Sequence, residues 1–365
     1  NTIDKIKFLQ NKLNNNKPLL FTLLDLDIPD NYKLIAMKKI SILEEMSDNH
    51  ISGEYYKLKL WVDTFLKLPF NKYNNLTITY SDNIDKCQEF INDAKHKLDS
   101  VVFGLNDAKL QILQLIGLWL VNPNAIGCSI AIKGPMGTGK TTLIKDGISK
   151  ILQRPFAMIA LGGCSNSGYL DGHDYVYEGS KYGKIVDILI QTQSMNPIIL
   201  FDELDKVSDT AQGQEIIGVL THLTDVTQNM NYTDKYFSEI ELDLSRALYI
   251  FSYNNDVINP ILRDRMYKIE TQGYKNQEKI TIAVDYLIPR IAAQVKIKIS
   301  DIIFNNTIIE YIINNYCENE KGVRNLKRCI EIIFTKLNLC KLIKNDERSI
   351  KKYFDIDKPV TFPIT

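Results

Sequence analysis

Histidine, tryptophan and paired cysteine are scarce in this sequence. Its 365 residues hold four His, two Trp and six Cys. The cysteines (Cys87, Cys128, Cys164, Cys317, Cys329, Cys340) are scattered, with no C-x-x-C among them. That removes the common zinc and dithiol patterns and reads as reduced thiols in an intracellular protein. The histidines are isolated, so no metal centre is expected on them. Net charge is missing too: 44 Lys+Arg against 44 Asp+Glu gives +0. A broad electrostatic surface for nucleic acid is therefore not expected. No apolar run approaches the roughly 20 residues of a membrane span, and no signal peptide is visible. The sequence begins with Asn1, so it is expected to lack its true start and to be silent on targeting. What is present is ordinary: 45% apolar and 24% charged residues, in a length that suits two or three domains.

Against that background one stretch stands out. Gly134-Pro135-Met136-Gly137-Thr138-Gly139-Lys140-Thr141 fits G-x-x-x-x-G-K-[ST], the phosphate-cradling loop. Three glycines let the backbone turn its N–H groups toward one point. Lys140 adds a positive charge there, and the Thr141 hydroxyl can sit on Mg²⁺. The apolar run Cys128–Lys133 reads as a buried strand before the loop. Thr142 to Leu152 reads as a helix after it, with an anion-favouring N-terminus. A glycine-rich turn without a ligand is the alternative, and both flanks argue against it.

Three patterns follow one another along the chain. Residues 1–100 read as helical: Ile35, Met37, Ile40, Leu43 and Met46 recur at helical spacing, as do Leu58, Trp61, Val62, Phe65 and Leu66 before Pro69, and Ile84, Cys87, Phe90, Ile91, Ala94 and Leu98. Residues 101–273 alternate amphipathic stretches with the short apolar runs 156–160, 197–201 and 247–251, the pattern of parallel strands buried on both faces. Residues 274–345 are helical again, with stripes at Ile308, Ile309, Ile312, Ile313 and Tyr316 and at Leu326, Ile330, Ile333, Phe334 and Leu337. Residues 346–365 read as a linker toward a further domain.

The second chemical signal is Ile198-Ile199-Leu200-Phe201-Asp202-Glu203, an apolar strand delivering two carboxylates to its C-terminal end. Asp202 would hold Mg²⁺ through water, and Glu203 would polarise the attacking water. A strand end at the surface would often look the same. About sixty residues after a phosphate loop, the pairing becomes specific.

These motifs resemble those of Lon-type AAA+ ATPases, in collinear order from about residue 45 to 345. Trp61-Val62-Asp63-Thr64-Phe65 and Leu68-Pro69-Phe70 resemble Y-[IL]-D-W and [LV]-P-W. Phe103-Gly104-Leu105 through Lys109 resembles the family's Y-G-L-x-x-x-K entry beside the adenine. Leu161-Gly162-Gly163, Gly172-His173, Gly183-Lys184-Ile185 and Asp202-Glu203-Leu204-Asp205-Lys206 follow its L-G-G, R-G-H, P-G-K-[IL] and D-E-I-D-K landmarks. Leu262 to Met266 resembles L-L-D-R-M, and Lys321 to Leu326 resembles A-G-V-R-x-L. The resemblance implies an α/β P-loop AAA+ core, a parallel sheet flanked by helices, with a C-terminal α-helical lid and an N-terminal α-helical extension. It implies ATP and Mg²⁺ as cofactors, held by Phe103, Gly104, residues 134–142 (Thr142 included) and Asp202.

By position, the resemblance makes Asn254 a sensor that orients water, Arg265 a finger reaching the neighbouring subunit's nucleotide, and Arg324 a lid residue sensing the γ-phosphate. Arg263 is an alternative to Arg265. On residues alone, Asn254 is a turn asparagine and each Arg a surface charge. The resemblance also aligns Tyr177 with the aromatic of a Y-[IV]-G pore loop that grips extended polypeptide. Glu178 departs from the family aliphatic, Asp171 from the arginine of R-G-H, and Tyr175 and Tyr182 crowd the loop. The expected machine is a homo-oligomeric ring, a hexamer, that unfolds and moves polypeptide as the motor of an ATP-dependent serine protease. Peptide-bond chemistry is expected in a domain beyond these residues, and no G-x-S-x-G elbow occurs within them. The alternatives are a remodelling chaperone without protease and a slow nucleotide-dependent switch subunit.

Overall fold

The computed structural model describes residues 18–46, 53–81, 83–177, 179–302 and 304–342. Five strands form one parallel sheet: β1 Ser129–Lys133, β2 Phe156–Ala160, β3 Ile198–Asp202, β6 Leu248–Tyr253 and β7 Tyr267–Glu270, in the order β2-β3-β6-β1-β7. A two-stranded antiparallel pair, β4 Tyr232–Thr233 and β5 Glu241–Leu242, lies outside it. The three apolar runs become β2, β3 and β6 as expected. β7 and the small pair carry too little apolar pattern to be legible beforehand.

Alternate residues along each strand feed opposite faces, the period-two consequence of the pleat. Ile130, Ile132, Ile198, Leu200, Leu248 and Ile250 join a core with Leu98, Ile112, Trp119, Leu143 and Ile144. Ala131, Ile199, Phe201, Tyr249 and Phe251 join the other, with Ile185 and Leu220. Phe201 and Phe251 stack at 4.9 Å across β3 and β6. Each such side chain contributes about 1.5–3 kcal/mol by leaving water. Both faces are thus covered, which is why the strands read as continuous apolar runs.

The N-terminal helices pack into the second of these cores. Ala36, Ile40 and Leu43 of helix Asp30–Glu45 are buried, and so are Trp61, Val62 and Phe65 of helix Gly53–Phe65. Met37, placed on the buried stripe from its spacing, is exposed, and Ala36 takes its place. Trp61 stacks on Phe65 at 5.2 Å and meets Phe237 at 5.3 Å. Helix Ile84–Val101 covers the first face through Cys87, Ala94 and Leu98, while its Ile84 is exposed. Toward the C-terminus, helices Asn276–Ile282, Ile288–Val295, Asn306–Tyr316 and Arg324–Leu342 build a third core around Ile291, Ile309, Ile313, Leu326, Ile330 and Phe334. Tyr316, on the expected stripe there, is exposed. Residues 1–17 and the expected linker 346–365 lie outside the described residues. No described helix is long and apolar enough to cross a membrane.

Candidate nucleotide site

The C-terminal ends of β1, β3 and β6 lie side by side, with Lys133 paired to Tyr253 and Phe201 to Phe251. Three functional segments leave from these ends: the loop 134–141, the Asp202-Glu203 pair and Asn254. The loop turns where glycine allows it, with φ of +78° at Gly137 and +88° at Gly139. A Cβ on Gly137 would stand 3.0 Å from the Arg324 nitrogen, so the lid presses directly on the loop. The helix that follows opens over Lys140–Thr142, widens into a π turn over Leu143–Ile148 and closes over Ser149–Leu152.

Lys140 is buried and turned back into the loop. Its ammonium donates to Gly134 O, to Pro135 O at 3.2 Å and to Asn254 Oδ1 at 3.3 Å. Burial pulls its pKa below the usual lysine range, while Asp202 and Asp205 hold it up. A cation that bonds only carbonyl-type oxygens gains from an anionic phosphate beside it. Asp202 accepts from Ser252 Oγ and from the Glu203 N–H at 3.1 Å, both on Oδ1. Glu203 itself sits at φ +61°, a left-handed conformation that costs a non-glycine residue about 1–3 kcal/mol. That turn directs its carboxylate toward Gly162, where a Cβ would come within 2.5 Å of Glu203 Oε2.

These groups converge on a cavity of about 270 Å³ lined by residues 136–142, Asp202, Glu203, Ser252, Asn254 and Arg324. Next to it a second cavity, of about 210 Å³, is lined by Val101, Val102, Phe103, Gly137, Tyr274, Tyr286 and Arg324 among others. Phe103 meets Tyr274 at 6.2 Å and Tyr286 at 6.4 Å, giving aromatic walls that suit a flat base. The Tyr274 hydroxyl lies 3.1 Å from Phe103 O and 2.8 Å from Thr138 O, tying this wall to the phosphate loop. Burial pushes its pKa up to about 12. The two cavities together match a nucleotide: a polar, cationic part and an aromatic part, joined at Gly137 and Arg324.

Twelve expected residues meet in this pair of cavities: Phe103, residues 136–142, Asp202, Glu203, Asn254 and Arg324. Gly134 and Pro135 present carbonyls to Lys140 but line a wider cleft of about 1110 Å³ between sheet and lid. Gly104 lines neither nucleotide cavity. At φ +68° it turns the chain so that Phe103 faces inward, and it borders a separate hollow of about 400 Å³. Arg265 lies outside both of these cavities and donates to Asp225 instead. Ser252, Gly162 and Tyr274 were not legible as site residues in the sequence. Only the L-G-G landmark held a signal for one of them.

Tyr177 lies on the loop between helices Gly168–Asp171 and Lys184–Thr192. The loop is pinched at its base. A Cβ on Gly183 would sit 2.1 Å from Leu170 O, and one on Gly172 would sit 2.6 Å from Asp234 Oδ1. The His173 N–H donates to Lys181 O at 3.1 Å. Asp234, fully buried, accepts from the Gly183 N–H at 2.8 Å and the Tyr236 N–H at 2.9 Å. Asp171 is buried and pairs with Lys235 at 2.9 Å. From this base the tip projects: Tyr177 is 69% exposed and Val176 78%. Val176, unremarked in the sequence, adds an aliphatic beside the aromatic. Glu178 lies outside the described residues.

Comparison with known proteins agrees with this geometry. Residues 130–274 match the model of the ATPase family associated with various cellular activities (AAA). The chain is 34% identical over 346 residues to a Lon protease homolog of Acanthamoeba polyphaga mimivirus, covering 92% of this chain and 34% of that protein. It is 31% identical over 328 residues to the mitochondrial Lon protease homolog of Homo sapiens, covering 90% and 32%. With the Lon protease of Halothermothrix orenii it shares 33% over 344 residues, covering 92% and 41%. The chain thus spans about a third of the length of the first two of these relatives. A solved structure titled as S. cerevisiae Hsp104 in complex with casein superposes with a TM-score of 0.57 at 18% identity, covering 71% of this chain and 49% of that one, a likeness of fold. With the nucleotide-type cavities, the five-stranded parallel sheet and some 90% of its length aligned to these relatives, the chain matches the Lon-type AAA+ ATPase module.

Proposed function

We propose that this chain is an ATP-hydrolysing motor that pulls polypeptide, the unfoldase and translocase part of a Lon-like ATP-dependent serine protease. ATP lies across the two joined cavities, with Mg²⁺ held by Thr141 and Asp202 and the charge of the phosphates met by Lys140 and Arg324. Glu203 takes the proton of the attacking water, and Asn254 orients that water. Arg265 serves the nucleotide of the next subunit, so activity requires a closed homo-oligomeric ring, a hexamer on the family pattern. Hydrolysis shifts the lid 274–345 against the core 101–273, with residues 1–100 as the extension and 346–365 as the connection to a peptidase domain of a longer protein. The compartment is intracellular and reducing.

The observation that carries this reading is the exposed Val176-Tyr177 tip on a pinched loop in the same chain as the phosphate cavity. An aromatic beside an aliphatic makes sequence-tolerant contact with any extended chain. In the assembled protein, Tyr177→Ala is expected to abolish both the rise in ATP turnover on adding polypeptide and the unfolding of a folded substrate. Unaltered unfolding by Tyr177→Ala overturns the gripping role.

A further inference from the structure

We propose that Lys39, in the N-terminal extension, positions the loop 172–183 by holding Tyr175 against Trp61, so that the extension sets how Tyr177 meets polypeptide. The inference rests on the reading of that loop as polypeptide-facing.

The Lys39 ammonium lies 4.7 Å from the Trp61 ring centroid and 5.2 Å from that of Tyr175. Its acidic neighbour Glu239 stands at the edge of ion-pair range, with Oε2 at 3.9 Å on a carboxylate 59% exposed, whereas the Lys39 side chain is 22% exposed. A poorly hydrated cation between two aromatic faces is held mainly by those faces. The contacts then close into a circuit. Tyr175 meets Tyr236 edge-on at 5.6 Å, Tyr236 meets Phe237 at 5.0 Å, and Phe237 meets Trp61 at 5.3 Å. Tyr182, on the returning arm, also meets Tyr236, at 6.1 Å. Three stretches far apart in sequence, 39–61, 175–182 and 236–237, thereby share one aromatic patch.

The rest of the loop explains why this patch matters. Its base is pinned by backbone contacts at Gly172, Gly183 and Asp234. Between those points Tyr175 joins the arm to the extension. Ser180 Oγ donates to Tyr175 O at 3.2 Å, so the position of Tyr175 carries the opposite arm with it. Tyr177 stands two residues on and stays exposed. A displacement of helix Asp30–Glu45 therefore reaches the tip through one cation and two rings.

The test uses the assembled full chain with Lys39→Met, which keeps the length of the side chain and removes its charge, and Lys39→Arg, which keeps a cation able to stack on rings. Hydrogen exchange of the amides at 174–182 is expected to quicken at least fivefold in Lys39→Met and to return to within twofold of wild type in Lys39→Arg. The concentration of an unfolded labelled polypeptide that half-stimulates ATP turnover is expected to rise about fivefold in Lys39→Met, with turnover in its absence unchanged. Tyr175→Leu should reproduce Lys39→Met, Tyr175→Phe should behave as wild type, and the double change Lys39→Met with Tyr175→Leu should add nothing further. Wild-type exchange in Lys39→Met, failure of Lys39→Arg to restore it, or additive effects in the double variant each overturn the proposal. Exchange is read without polypeptide, so the two readings separate. If Tyr177→Ala leaves polypeptide stimulation intact while Lys39→Met still loosens 174–182, the gripping role falls and the positioning role stands.

Discussion

Arg265 donates from Nη2 to Asp225 Oδ2 at 2.9 Å. The residue follows the short helix Pro260–Asp264, and Asp225 caps the end of helix Ala211–Thr224. Asp225 also accepts from the Thr227 hydroxyl at 2.6 Å and the Thr227 N–H at 2.9 Å. Those bonds, led by the Thr227 hydroxyl and then Arg265, bring its pKa down to about 2. The carboxylate is thus fully ionised at neutral pH and holds the guanidinium away from the chain's own cavity.

Arg265→Ala is accordingly expected to lower ATP turnover by about a thousandfold in the assembled protein, the scale of a lost arginine finger. Nucleotide affinity should stay within about threefold, read by titration with a fluorescent analogue. A large loss of affinity would place the arginine in its own subunit's site.

Glu203→Gln is expected to cost at least about a hundredfold in turnover while nucleotide binding persists. Gly162→Ala tests the same carboxylate from behind, since the added Cβ would meet Glu203 Oε2 at 2.5 Å. It should reduce kcat with little change in nucleotide Kd. Full turnover in Glu203→Gln would remove Glu203 as the base.

Gly322→Ala separates the lid from the phosphate loop. The new Cβ would stand 2.1 Å from Met136 O, at the junction where the Val323 N–H donates to Gly137 O at 3.1 Å. Backbone on both sides leaves no room to yield, so Arg324 should withdraw and nucleotide affinity fall more than tenfold. Calorimetric titration decides it, and unchanged affinity would show that the lid contact is dispensable for binding.

Asp234 makes stability depend on pH. Burial, aided by the nearby Asp171, pushes its pKa up to about 7 against the bonds from Gly183 and Tyr236. A folded-state pKa above the unfolded value of 3.8 means that the fold favours the protonated acid. Its contribution is complete below about pH 4 and is lost as pH rises through about 7. The urea midpoint of the wild type should therefore fall between pH 5 and pH 8 more steeply than that of Asp234→Asn, which carries no titrating group there. Parallel profiles would contradict the raised pKa.

Much of this was legible beforehand, for reasons of chemistry close in sequence. Gly137 and Gly139 must reach positive φ, and residues 134–141 announce that by composition alone. Strands β2, β3 and β6 are buried on both faces and so read as unbroken apolar runs. Met37, Ile84 and Tyr316 show the limit of that reasoning. Helical spacing places them on an apolar stripe, but among the described residues they stay exposed.

By itself the sequence determined the phosphate loop, the strands that carry it and the carboxylate pair, because backbone sterics and period-two burial act over a few residues. Only the tertiary structure decided that Ser252 holds Asp202, that Gly162 makes room for Glu203, that Tyr274 joins two walls of one site, and that Lys39 lies between Trp61 and Tyr175. Each of these joins residues from roughly 20 to more than 170 positions apart, and such contacts are set by how sheet, lid and N-terminal helices bury their apolar faces against one another.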